Sequence, residues 1–478
     1  MRSVIFSVLC ALALTSYVHA AELRSVSLSQ QPYYTEAVLA FDQPPAYTSV
    51  LRHGPDRYVL TFAKTKPLVP KPALDKLAKL DGDLLTRISV APSGDDCAVG
   101  FYLNLASEPL IRKTGSGYAL RFYSSVQQRT EQTLGPGVTL IQKQVSGNPN
   151  ACPGNLALYM VRIAPGAKSD VYTVSGDHYD HKTRIRTPSS YARKEAADVV
   201  INGGFFGGQG QHLSTLVENG VMRATGVYPT RPMLVITNDG QRLLGRYNVE
   251  TTLLFGGKRL TINALNYPFE SGKTIVYDAT YPIESLPQSG MYYYVISGGA
   301  LKFYAADTKG LTLGQGEMLL ATDIMPEANP LRQIPDGTGV KVETRITDNA
   351  GTTLLARSVV GGAPMLVENG QVALSNTEDK VKADIGASQR SRTAVALLRD
   401  GSLLLAVVKE QEATGYCGVT LDNLAHLLMA EGAVTAMNLD GGGSSAMVIG
   451  GASINEAEAD QRPVSNALVV KVPTSGSP

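Results

Sequence analysis

The sequence predicts a β-rich α+β protein, with a small N-terminal β-sandwich followed by a larger mixed α+β domain. Three observations carry that prediction. Short runs of alternating apolar residues recur along the chain, the period-two signature of half-buried strands. Only two stretches have helical periodicity, and they do not alternate regularly with strands, which argues against a doubly wound parallel sheet. The 478 residues also exceed what one hydrophobic core normally organises, so two or more domains are expected.

The N-terminus reads as a signal peptide over residues 1–20. Met1-Arg2-Ser3 gives a positive start, Val4 to Leu14 is an apolar core too short to span a bilayer, and Val18-His19-Ala20 offers small residues for cleavage after Ala20. Cys10 lies inside the apolar run rather than after it, so no lipoprotein is expected. The mature chain is therefore expected to be secreted or periplasmic, with no membrane span. Loss of the leader removes Arg2 and no acidic residue, which balances a formal net charge of +1. Nothing in that balance favours nucleic acid or an anionic membrane as partner. Cys97, Cys152 and Cys417 remain, too few for a disulfide scaffold. Their odd number leaves one thiol unpaired even if Cys97 and Cys152 bridge. Tryptophan is absent, so sugar stacking would fall to tyrosine or phenylalanine.

Residues 21–123 form the first domain. Ala37 to Phe41, Arg57 to Phe62, Val99 to Leu103 and Tyr118 to Phe122 alternate at period two between Gly, Pro, Asp and Ser punctuation. In strand rhythm and position this stretch resembles the AMIN modules that precede catalytic domains in exported bacterial wall enzymes. That resemblance implies attachment to peptidoglycan or another wall polymer. Residues 124–135 are polar and aperiodic and read as a linker. The second domain spans 136–472, with a short tail at 473–478. Its strands include Leu156 to Ile163, Thr274 to Tyr277, Tyr292 to Ile296, Val340 to Ile346, Ala394 to Leu398 and Leu403 to Val408. One helix is expected over Ser189 to Ala197. The other follows Thr420 as N-cap, with Leu421, Leu424, Ala425, Leu427 and Leu428 on one face and Gly432 as the stop.

Four glycine-flanked polar clusters end apolar runs in this domain. Asn202-Gly203-Gly204 follows Val199-Val200-Ile201, and the glycines let the backbone turn or approach a ligand. Gly361-Gly362 enters Ala363 to Val367, and Ser391-Arg392-Thr393 opens the strand Ala394 to Leu398. The fourth cluster is Asn438-Leu439-Asp440-Gly441-Gly442-Gly443-Ser444-Ser445. Taken alone, it reads equally as a hairpin turn. Yet three glycines between apolar segments can also expose successive N–H groups to an anion, with the serine hydroxyls as further donors.

Ile201 to Phe206, Gly361 to Pro364, Arg392 to Ala394, Gly415 to Leu421, Asn438 to Ser445 and Arg462 to Ala467 occur in that order. Together, over roughly Ala196 to Val470, they resemble the phosphodiester glycosidase family. The resemblance implies hydrolysis of a sugar-1-phosphodiester, of the GlcNAc-1-phosphodiester kind, in a glycan, exopolysaccharide or wall polymer. The chemistry agrees, because an oxocarbenium-like transition state with a phosphate leaving group needs cationic and N–H donors more than a strong general acid. Asp440 is the expected carboxylate, acting on water or on the anomeric carbon. Arg392 and Arg231 are expected to clamp the phosphate bidentately. Asn202 and Asn438 are expected to hold the sugar, with Gly203, Gly204, Gly362, Gly441, Gly442, Gly443, Ser444 and Ser445 lining the site. Arg462 and Asn466 complete or brace it. Glu195, Glu218, Glu368 and Asp384 are candidates for a second carboxylate. Two rivals stay open: a non-catalytic glycan- or wall-binding protein, and a phosphodiesterase breaking the P–O bond.

No cofactor is called for, and participation of a divalent metal stays open. Asp177-His178-Tyr179-Asp180-His181 has metal-ligand residue types, but its polar surroundings read as a solvated loop or the rim of a site. Cys417 reads as a packed thiol and His426 as a helix residue rather than a catalytic one.

Overall fold

A computed structural model describes residues 20–31, 34–52, 55–80, 85–103, 108–122, 126–146, 155–176, 184–228, 231–287, 289–305, 308–325, 327–375, 377–410 and 417–473. The leader core, Cys152, the Asp177 to His181 cluster and the tail beyond 473 lie outside these. The chain falls into two compact units, the second beginning at Val126.

The N-terminal unit is the expected sandwich. One sheet orders Thr65–Pro67, Ala21–Gln31, Tyr34–Phe41, Gly117–Phe122 and Leu110–Thr114; the other orders Tyr47–Arg52, Arg57–Phe62, Asp96–Leu103 and Leu85–Ser93. Period-two alternation sends Leu39, Phe41 and Phe122 from the first and Leu60, Phe62 and Phe101 from the second into one core. Aromatic pairs cross between the sheets, with ring centroids 4.9 Å apart for Phe41 and Phe62 and 5.0 Å for Phe101 and Phe122. Cys97 is a free thiol in this core, its pKa pushed up to about 11 by burial.

The second unit is built on two stacked antiparallel sheets. The larger runs Val126–Gly135, Val138–Ser146, Asn155–Ile163, Leu403–Val408, Arg392–Leu398, Ala433–Asn438, Met365–Glu368 and Gln371–Val372. The smaller runs Asp170–Ser175, Asn466–Lys471, Val199–Asn202, Met447–Ile449 and Ala452–Ser453. Alternation assigns each residue a layer. Val199 and Ile201 meet Val395, Leu405 and Met437 between the sheets. On the outer face of the larger sheet, Ala394, Ala396 and Leu404 pack against Leu421, Leu424 and Leu428 of the helix Leu421–Ala430. On the outer face of the smaller, Val200, Val448 and Val469 pack against Tyr191 of the helix Pro188–Glu195. The result is helix, sheet, sheet, helix. Thr420 caps its helix by accepting Asn423 N at 3.1 Å, as its sequence position predicts.

Two further sheets complete the unit. Val221–Ala224, Leu216–Glu218, Ala356–Gly361, Pro232–Thr237 and Arg242–Arg246 form one. Between its strands Arg242–Arg246 and Ala356–Gly361 the chain makes an excursion over 248–347. That excursion builds an eight-stranded sheet with its own apolar clusters. Among the described residues, no helix is long and apolar enough to cross a membrane.

One expectation is corrected. The described part of the 124–135 stretch is not a linker but the strand Val126–Gly135, paired antiparallel with Val138–Ser146. Its polar composition suits an edge strand, where exposed charge deters further pairing. The segment is also anchored by charge. Arg129 Nη1 reaches Glu431 Oε2 at 2.7 Å and Lys143 Nζ reaches Glu431 Oε1 at 3.3 Å. These cations offset an acidic residue at a helix C-terminus, where the macrodipole disfavours it. Residues 126–478 produced alone should therefore unfold cooperatively, whereas 136–478 should melt several degrees lower by differential scanning calorimetry. Equal melting temperatures would reject a structural role for the strand.

Candidate functional site

The site grows from the end of the buried strand Val199–Asn202. Asn202 is 0% exposed, and both atoms of its amide are engaged. Nδ2 donates to Asp440 O at 2.7 Å, while Oδ1 accepts Thr393 Oγ1 at 2.7 Å and Ala446 N at 3.2 Å. It thereby fastens one sheet to the first turn of the other and to both ends of the glycine-rich segment. Leu439 N donates to Thr393 O at 2.8 Å and Asp440 N to Gly203 O at 3.2 Å, which completes the seat.

The glycine segment closes as a 3₁₀ turn over Gly442–Ser444. Its N–H groups are largely spent within the protein. Gly441 N donates to Asp440 Oδ1 at 3.0 Å, Gly442 N to Ser391 O at 2.7 Å, Ser444 N to Gly441 O at 3.3 Å and Ser445 N to Gly442 O at 3.2 Å. The expected row of successive anion-facing amides is thus corrected, because the turn uses them to define itself. Gly442 adopts φ 61°, the left-handed region that disfavours side chains.

Asp440 is the electrostatic centre. Burial raises its carboxyl pKa above the ordinary value; Ser444, the Gly441 N–H and the Arg462 charge oppose that rise without cancelling it. Arg462 is exposed, with its guanidinium 5.4 Å from the Phe206 ring centroid. Its Cδ would lie 3.6 Å from a Cβ placed on Gly443, so it stands directly over the turn. Among the described residues, no ion pair to a carboxylate holds Arg462 or Arg392.

Arg392 has another task than the expected bidentate clamp. Its Nε donates to Val419 O at 3.1 Å, and its Nη2 to Ile385 O at 2.7 Å and Ser388 O at 2.6 Å. It ties its own strand to the 385–388 and 419 segments behind the turn, and among the described residues Nη1 makes no such bond. Burial, reinforced by Arg390, lowers its pKa to about 10, so it remains cationic at neutral pH. Arg231 is held elsewhere, with Nε on Asp379 O at 2.9 Å and the guanidinium 4.5 Å from the Tyr228 ring centroid.

The glycines and asparagines are likewise structural. A Cβ on Gly203 would lie 2.0 Å from Asn466 Oδ1, one on Gly204 2.6 Å from Gly361 O, and one on Gly362 2.3 Å from Asn438 O. These three are glycine because protein, rather than ligand, approaches them. Asn466 Oδ1 accepts Gly204 N at 2.7 Å. Asn438 is buried and donates Nδ2 to Ala363 O at 2.8 Å. Neither Asn202 nor Asn438 is exposed enough to grip a sugar. Of the carboxylates proposed beside Asp440, Glu218 is paired with Arg223 at 2.9 Å, Glu195 accepts Tyr172 Oη at 2.7 Å, and Glu368 is exposed at a strand end. The Asp384 side chain lies outside the described residues.

Two residues escaped the sequence reading. Lys409 Nζ donates to Ser445 O at 3.2 Å and pairs with Glu456 Oε2 at 2.6 Å, with the Glu456 side chain 8% exposed. This buried ion pair props the turn from behind. No motif announced it, since Lys409 and Glu456 stand 47 positions apart and meet only through the fold. Among the described residues, no group of three or more His, Cys, Asp or Glu is placed to hold a metal ion.

A family model for phosphodiester glycosidases matches residues 290–471. No curated relative matches the sequence. Among solved structures, a hypothetical protein from Synechocystis superposes with TM-score 0.62 at 22% identity, covering 95% of this chain and 81% of that one. A protein from Burkholderia pseudomallei described as exported gives TM-score 0.60 at 18% identity, covering 73% of this chain and 97% of the other. The catalytic domain of zebrafish N-acetylglucosamine-1-phosphodiester α-N-acetylglucosaminidase, auto-inhibited by its pro-peptide, gives 0.40 at 14% identity over 73% of this chain and 89% of that one. The first two share the fold.

The site makes two predictions. Because burial holds the folded pKa of Asp440 above its unfolded value, the folded state takes up the proton first as pH falls. Asp440 therefore opposes folding at neutral pH, and that opposition fades on acidification through its raised pKa. Asp440→Asn should raise the melting temperature by a few degrees at pH 7, with the gain shrinking towards pH 4; a constant or negative shift rejects the assignment. Lys409→Met should cost about 3–5 kcal/mol by leaving Glu456 buried and unpaired. Adding Glu456→Gln should restore most of it, as chemical denaturation of the double-mutant cycle would reveal.

Proposed function

We propose that the larger domain is an exported hydrolase that cleaves the glycosidic bond of a sugar-1-phosphodiester in a glycan, exopolysaccharide or wall polymer. One observation carries the reading: a half-buried carboxyl of raised pKa, Asp440, lies beside the exposed cation Arg462, which no carboxylate pairs among the described residues. Both belong to the stretch matched by the phosphodiester glycosidase family model. The leaving phosphate already carries negative charge, so it needs a cation rather than a proton to depart. Arg462 meets the phosphate, and Arg392 adds positive potential from behind the turn. The Asp440 carboxylate faces the charge developing at the anomeric carbon, or takes the proton of the attacking water. Its raised pKa makes it a stronger base than a solvated aspartate.

Export rests on the leader read over residues 1–20 and accords with the described export of the Burkholderia protein. The N-terminal sandwich serves, in this reading, as an AMIN-like module that attaches the enzyme to a wall polymer.

The test is hydrolysis of an α-GlcNAc-1-phosphodiester in ¹⁸O-labelled water. Label is expected in the sugar hydroxyl, with kcat of Asp440→Asn lower by about 10²–10⁴-fold. Label in the phosphate would establish P–O cleavage instead. Binding without turnover by the wild-type protein would leave a glycan-binding domain.

A further inference from the structure

The turn occupies one end of a continuous loop whose other end lies in a separate cleft. Starting beneath Asp440 at Gly203, the loop passes Phe206, over which Arg462 lies, and folds back on itself. Gly207 N donates to Gln211 O at 2.8 Å, Gly210 N to Gly207 O at 2.9 Å, and Phe206 bridges to His212. The tip, Gly208 and Gln209, lines a cleft of about 840 Å³. Its remaining walls come from Arg184 and from the 248–347 excursion, through Tyr281, Glu284, Leu311 and Thr312. Gly204 and Gly208 are four residues apart, at most about 14 Å of extended chain. A substrate extending beyond its reacting sugar by that span would bridge the two ends of this segment.

The lining identifies the occupant. It combines apolar side chains such as Ile283 and Leu311 with amide, hydroxyl and phenol groups, and sets one cation, Arg184, against one anion, Glu284. Apolar surface suits the C–H face of a pyranose, and dispersed polar groups suit its hydroxyls. The balanced charge suits a neutral sugar rather than a second phosphate. Tyr281 is packed on Tyr277 with ring centroids 4.4 Å apart, and burial holds its pKa up at about 12, so the phenol keeps its proton at neutral pH. We propose that this cleft is a carbohydrate subsite for neutral sugar residues on the leaving-group side of the phosphodiester. The assignment rests on the glycosidase reading above.

Thr312 is exposed, so Thr312→Trp can fill the cleft without disturbing a core. Two substrates separate the effects: α-GlcNAc-1-phosphate esterified to methanol, and the same group esterified to the 6-hydroxyl of a neutral glucotriose. For the trisaccharide diester, Thr312→Trp should raise KM about tenfold, while kcat/KM for the methyl diester stays unchanged. Equal effects on both substrates, or none on either, overturn the subsite. If the wild-type protein cleaves neither diester, the glycosidase reading fails, and the cleft is then judged by saturation-transfer NMR with free glucotriose. Transfer that Thr312→Trp abolishes upholds a sugar-binding cleft; absence of transfer to the wild-type protein, or transfer unchanged in the variant, overturns it.

Discussion

Everything at the site depends on the single amide of Asn202. Its three hydrogen bonds connect Thr393 on one sheet with the carbonyl of Asp440 and the N–H of Ala446, and they do so where no water reaches. A buried polar group left unpaired costs about 1–3 kcal/mol, so loss of this amide would strand three partners at once. The geometry also explains the residue type. An amide places a donor nitrogen and a separate acceptor oxygen side by side, whereas a carboxylate there would face the Asp440 carbonyl with no proton to give.

With the turn pinned in this way, the surrounding residues divide into two kinds. Gly203, Gly204, Gly362, Asn438, Asn466 and Arg392 hold chain against chain. Asp440 and Arg462 are what that scaffolding presents outward. The Lys409–Glu456 pair belongs to the first kind, a buried charge pair whose desolvation is offset only while both partners remain. Density of interactions and chemical role are therefore different things here. The best-bonded residues are those least available to a substrate.

That distinction sets what could be read from the sequence. The sandwich strands, the two helices with their Thr420 cap and the strands leading into the turn follow from periodicity, because each faces a core on one side. The motifs that the sequence lists in order do lie together in the fold, with Asn202, Arg392 and Asn466 all packed around the Asp440 turn. Their individual tasks were not legible. Whether an arginine clamps a ligand or three carbonyls depends on where Ile385, Ser388 and Val419 arrive, which is a matter of tertiary path. Likewise the polar run from Val126 resembles a linker because an edge strand has only one neighbour to satisfy. Lys409 and Glu456, distant in the chain, left no local signal at all.

The 248–347 excursion separates two properties that many enzymes keep entangled. The turn bearing Asp440 is embedded in the double sheet and held there by buried hydrogen bonds. Much of the cleft wall hangs from an insertion that leaves and rejoins the chain between two strands of a different sheet. Loops on that insertion can lengthen, shorten or change composition while the reacting groups keep their seats. Lineages carrying this architecture can therefore diversify in what they recognise faster than in what they do, with the boundary between the two drawn by the fold itself.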